Sequence, residues 1–100
     1  MVASRWVRMI AMLSVAEQEV IERYAREFGV RAVWLFGSSL KEGAEARDID
    51  LAVEGLRPEL FFKFYARLAW ALEKPVDLVD LAEPIGLVAL IRARGKRIYG

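Results

Sequence analysis

The chain contains no cysteine and no histidine. The first absence excludes disulfides, thiol nucleophiles and thiolate-held metals. The second excludes imidazole-bound zinc and serine–histidine–aspartate catalysis. Any bound metal must therefore be held by oxygen, which favours magnesium, manganese or calcium. Asparagine and threonine are missing too, Gln18 is the one glutamine, and arginines outnumber lysines 11 to 4. That bias suits a heat-adapted protein and a GC-rich genome equally. Neither sign of charge is in excess: a net charge of +1 gives no electrostatic case for nucleic acid or an anionic membrane. Arginines interrupt the opening "MVASRWVRMIAML", which lacks a small-residue cleavage site. It also falls short of the ~20 apolar residues of a membrane span. The expected location is the cytoplasm.

What is present reads as one folded domain over residues 1–100, with 1–13 as an N-terminal extension and 14–100 as the core. Hydrophobic residues make up 56% and charged residues 29% of the chain, a composition that buries a core. Ser14 and Glu17 form a capping-box pattern ahead of Val20, Ile21, Tyr24 and Phe28 at helical spacing, and Gly29 is placed to close that helix. Glu19–Arg23 and Glu22–Arg26 have the spacing of ion pairs on its wet side. "RAVWLF" (31–36) is a short apolar run typical of a buried strand. "DIDLAVE" (48–54) reads as a second strand, residues 58–73 as a helix, and "PVDLVDLA" (75–82) as a third strand. A helix from Pro84 to Gly95 and a short strand in "KRIYG" follow. This order predicts an α+β fold, an α/β sandwich with a small mixed sheet and helices mainly on one face.

Two aspartates stand where a strand should be. Asp48 and Asp50, two apart, would project from one face roughly 7 Å apart along the strand. Ile49, Leu51 and Val53 would enter the core. Neighbouring carboxylates repel unless a divalent cation sits between them. The preceding strand ends at Gly37, which lets the backbone turn sharply and approach a ligand, and Ser38 adds a hydroxyl and an N–H suited to phosphate oxygens. Oxygen-held Mg²⁺ is completed by substrate phosphates, so the constellation reads as a nucleoside triphosphate site. Asp77, in "VDLVD", is the candidate third carboxylate, as a metal ligand and as the base that receives an acceptor's proton. Asp80 has the opposite parity from Asp77 and is left out. Lys41 and Arg47 are read first as solvated loop charges.

"WLFGSSLKEGAEARDIDLAV" followed by "VDLVDL" resembles the minimal nucleotidyltransferase family, a branch of the DNA polymerase β-like superfamily. The shared pattern is an apolar strand, Gly-Ser, a loop with a second glycine, Asp-x-Asp on the next strand and a later Asp. The resemblance runs from about residue 15 to 99. It implies Mg²⁺-dependent transfer of a nucleoside monophosphate, AMP from ATP, from a triphosphate to a hydroxyl, with Gly37 and Ser38 on the triphosphate. Asp48, Asp50 and Asp77 would be the metal-binding and catalytic residues. Two positions depart from the pattern: Ser39 stands where Arg or Lys is common, and Arg47 where Ser is common.

The chain ends soon after the catalytic pattern, so the acceptor is expected on another folded molecule. By the same resemblance, the expected role is an antitoxin that binds and adenylylates a helical HEPN toxin. A non-catalytic binding module and a small-molecule nucleotidyltransferase are the alternatives. The helix over 58–73 carries two apolar stripes. Phe61, Phe64, Leu68 and Leu72 are expected in the core. Phe62, Ala66, Ala69 and Trp70 are expected to meet a partner or a second copy, with burial under Trp6, Val7 and Ile10 as the alternative.

Overall fold

A computed structural model describes residues 13–36, 48–82 and 86–100. The first helix, α1 (Val15–Phe28), is closed at both ends as its sequence requires. The Glu17 N–H donates to Ser14 Oγ at 3.0 Å, and the Ser14 N–H donates to Glu17 Oε1 at 2.8 Å. Gly29 takes the left-handed conformation, φ 68°, and its N–H reaches the carbonyls of Ala25 and Arg26. Lys74 Nζ lies 3.1 Å from Glu17 Oε2 and ties the start of α1 to the end of a later helix. The wet side differs from its sequence reading. Among the described residues neither Glu19–Arg23 nor Glu22–Arg26 closes as an ion pair, and Arg23 lies over the Tyr24 ring instead.

The cap is pH-sensitive. Burial pushes the Glu17 carboxyl up, but the Ser14 N–H and Lys74 together outweigh it and hold the group below its ordinary value. A carboxyl depressed in the folded state stabilises fully above its unfolded pKa, and that stability is lost as pH falls through the folded value. Ser14→Ala is expected to cost about 1 kcal/mol with little dependence on pH, because the Ser14 N–H and Lys74 still hold the Glu17 carboxylate in the variant. Glu17→Gln removes the charge itself, and in acid-titrated urea denaturation its gap from wild type should close as pH falls through the folded Glu17 value.

Four strands form one mixed sheet: β1 (Ala32–Phe36), β2 (Ile49–Glu54), β3 (Val76–Asp80) and β4 (Lys96–Tyr99), in the order β3-β2-β1-β4. β1 runs antiparallel to both β2 and β4, and β2 runs parallel to β3. The parallel pair needs a crossover, supplied by a 3₁₀ turn (Pro58–Leu60) and then α2 (Phe61–Leu72). The helix expected over 58–73 thus begins as a tighter turn, because Pro58 fixes the chain at N1 while Arg57 offers no side-chain cap. The last helix, α3, spans Leu87–Arg94. The expected start at Pro84 lies outside the described residues. At Gly95 the chain enters β4 so close to Ile91 that an added Cβ would meet the Ile91 carbonyl at 2.5 Å.

Period-2 alternation assigns the two faces of the sheet. Val33, Leu35, Ile49, Leu51, Val53 and Val76 point to one face and are buried against Ile21 and Ala25 of α1 and Phe64, Leu68 and Leu72 of α2. Leu13 belongs to the same cluster. On the opposite face α3 sets Ile91 against Ala52 and Leu81, with Trp34, Phe36 and Val79 around them. Arg92 of α3 pairs with Glu54 at 3.2 Å. Two helices cover one face and the third part of the other. The α2 stripe of Phe64, Leu68 and Leu72 is core, whereas Phe62 and Trp70 of its second stripe are 80% and 89% exposed. Trp6, Val7 and Ile10 lie outside the described residues.

Candidate active site

The register places the carboxylates. β1, β2 and β3 align Phe36 with Asp50 and Asp50 with Asp77, one row across three strands. Neighbouring strands are about 4.8 Å apart, so the Asp50 and Asp77 backbones are as close as two residues on different strands can be. Both side chains share the face that carries Phe36, Trp34 and Ala52, since pleat alternation sends Ile49, Leu51, Val76 and Leu78 to the other. Asp50 is half-buried and Asp77 exposed. Pro75 leaves this parity intact: its carbonyl accepts the Ile49 N–H at 2.9 Å and opens the ladder one residue before β3.

Asp48 differs from its sequence reading. The second strand begins at Ile49, and Asp48 sits in the bend before it, exposed. The Ile49 N–H makes the first ladder bond to β3, so the pleat fixes Asp50 while Asp48 precedes the paired region. Among the described residues no three carboxylates are gathered into a metal-sized group. The structure fixes a pair, Asp50 and Asp77, with Asp48 at its margin. Gly37, Ser38, Ser39, Lys41 and Arg47 lie outside the described residues.

Asp80 is excluded by geometry, as its parity implied. It aligns with Val53 on the helix-covered face, and its Oδ1 accepts the Ala82 N–H at 2.9 Å, capping the turn after β3. The sequence reading missed Trp34. Its indole N–H is buried on the Asp50 face with no acceptor among the described residues, and the Arg97 guanidinium lies 6.0 Å from its ring centroid. A buried donor left unbonded costs about 1–3 kcal/mol. The period-2 pattern could have put Trp34 on this face, but not shown its donor to be orphaned.

Like charges directly opposite on neighbouring strands destabilise a sheet. The donor set is chemically clear: two carboxylates, in a chain without thiolate or imidazole ligands, suit a hard cation such as Mg²⁺.

A family model described as "Polymerase beta, Nucleotidyltransferase" matches residues 18–100. Three solved structures are similar to the chain over most of its length. One is the toxin–antitoxin pair MntA–HepT, at 27% identity and TM-score 0.64, covering 84% of this chain and 70% of that one. Another is a toxin–antitoxin with AMP-PNP, at 27% identity and TM-score 0.64, covering 83% and 73%. The third is the tri-AMPylated Shewanella oneidensis HEPN toxin in complex with MNT antitoxin, at 28% identity and TM-score 0.66, covering 84% and 70%. No match is found among curated proteins.

Proposed function

The chain belongs to the polymerase β-type nucleotidyltransferase family, and on that footing we propose that it transfers AMP from ATP to a hydroxyl of a partner protein. The partner is a helical HEPN-type toxin and the chain its antitoxin, acting in the cytoplasm as a single catalytic domain. AMP-PNP in one similar structure and a tri-AMPylated toxin in another support this reading. The observation that carries it is the cross-strand alignment of Asp50 with Asp77.

In this reading Asp50 and Asp77, joined by Asp48, hold Mg²⁺, and Gly37 and Ser38 contact the triphosphate. Bound Mg²⁺ supplies positive charge to the phosphate oxygens where negative charge builds up. The acceptor oxygen forms a bond to the α-phosphorus as the bond from that phosphorus to the bridging oxygen breaks, and pyrophosphate leaves. Asp77 lies on the outermost strand, open to a second molecule, and takes the proton that the hydroxyl gives up. Asp50 is half-buried in the row between Phe36 and Asp77.

The test is incubation with Mg²⁺, α-labelled ATP and a HEPN-type partner. Label should appear on the partner and be absent with Asp48→Ala. Tight binding of the partner without label, in a protein that still binds ATP, would replace transfer by inhibition through contact alone.

A further inference from the structure

β3 is an outer strand of the sheet, and the site row ends on it. The Ile49 N–H donates to the Pro75 carbonyl, and the Leu81 N–H to the Val53 carbonyl. In a parallel ladder these bonds turn the backbone groups of residues 75, 77, 79 and 81 toward β2. Those of Val76, Leu78 and Asp80 therefore face outward, and among the described residues none of them is hydrogen-bonded. Outer strands are commonly blunted by charged side chains, proline or a bulge; "VDLVD" has no proline and no register shift, and its charges are two aspartates, which disfavour an acidic strand and leave a basic one admissible.

The surroundings of this edge are apolar on one side and acidic on the other. Toward α2, a cavity of about 470 Å³ is lined by Pro58, Phe61, Phe62, Leu78, Val79 and Asp80. Phe62, 80% exposed, forms its outer wall, and Tyr65 is exposed one turn along. Toward the site, Asp77 is exposed, and among the described residues no strand continues the row Phe36–Asp50–Asp77 beyond it.

We infer that the β3 edge takes an extended segment of the partner polypeptide as a fifth strand, in the register that sets its hydroxyl residue beside Asp77. This rests on the transfer reading above and names how the acceptor is presented. Main-chain bonds to Leu78 and Asp80 supply affinity, and alternate side chains supply specificity. The residue level with Asp77 points to the site face, one strand spacing of about 4.8 Å away. Its two neighbours point to the α2 side, where Phe62 and the cavity take apolar side chains. The exposed Asp77 carboxylate favours basic residues two places either side of the hydroxyl residue, which share its face, and a serine, threonine or tyrosine supplies the hydroxyl.

The probe is a capped pentapeptide, Lys-Val-Tyr-Val-Lys, with two copies N-methylated on alternate residues in opposite phase. Added to the full-length protein, the parent peptide should slow amide hydrogen exchange at Leu78 and Asp80. One methylated copy should lose this effect and the other keep it, because only one set of peptide N–H groups faces β3. Phe62→Ala should weaken binding about tenfold. With Mg²⁺ and α-labelled ATP, label should reach the tyrosine. No protection at Leu78 and Asp80, or equal effects of both methylated copies, overturns the inference, as does labelling without protection. Protection that rises with protein concentration in the absence of peptide gives the edge to a second copy and also overturns it. Protection without labelling upholds the docking edge and counts against the transfer reading.

Discussion

Asp50→Asn is expected to leave a folded protein whose nucleotidyl transfer is reduced at least about 100-fold, the usual effect of deleting one positioned electrostatic group from an active site. The substitution keeps the shape of the side chain and removes its charge. The fold should not notice, because Ile49, Leu51 and Val53, all fully buried, hold β2 in place from the other face. The chemistry should, because Asp50 is the inner member of the pair aligned across β2 and β3. Mg²⁺-dependent ATP affinity should fall along with transfer. Circular dichroism and a labelled-ATP assay on the same preparation check both halves. A folded variant with unchanged transfer would remove Asp50 from the site.

The largest expected effect on stability is at Phe64. Its side chain is fully buried and meets Phe28 edge to face, with ring centroids 5.2 Å apart. It is the contact at which α1, α2 and the sheet come together. Phe64→Ala should cost about 3–5 kcal/mol, from lost transfer energy and the cavity left behind. Domains are typically stable by about 5–15 kcal/mol, so much of the margin would go. For about 100 residues each kcal/mol shifts the midpoint by roughly 4–8 °C, which places the expected drop in Tm at about 12–40 °C. Phe62→Ala, two residues away on the exposed side, should cost less than about 0.5 kcal/mol. Similar losses at the two positions would contradict the facing of α2.

Much of this was legible before the structure. The Ser14–Glu17 cap, the Gly29 stop and the Phe61–Phe64–Leu68–Leu72 stripe are local patterns set by 3.6-residue periodicity and backbone hydrogen bonding; they form as expected, except that Phe61 at the head of the stripe is only half-buried against the core. The mixed sheet followed from the element order. What was read differently is the pairing of carboxylates. Asp48 and Asp50 are joined by proximity in the chain, and the sequence suggests them as neighbours along one strand. The closer pair is Asp50 with Asp77, 27 positions apart, because register between β2 and β3 depends on where the crossover through α2 returns the chain. No local pattern encodes that distance.

The same limit applies at the ends of elements. Residues 58–60 have helical composition but wind as a 3₁₀ turn, since Pro58 and an uncapped Arg57 govern the first turn more than average propensity does. The exposure of Phe62 and Trp70 depends equally on tertiary placement: spacing identifies a second apolar stripe but not what covers it.

The most direct measurement of the central claim is paramagnetic broadening by Mn²⁺, added with ATP to isotope-labelled protein. The amides of residues 48–51 and 76–78 are expected to broaden first, while Glu54 and the α1–α2 layer stay sharp. Broadening centred elsewhere, such as at Glu17, or broadening of Asp50 without Asp77, would contradict it.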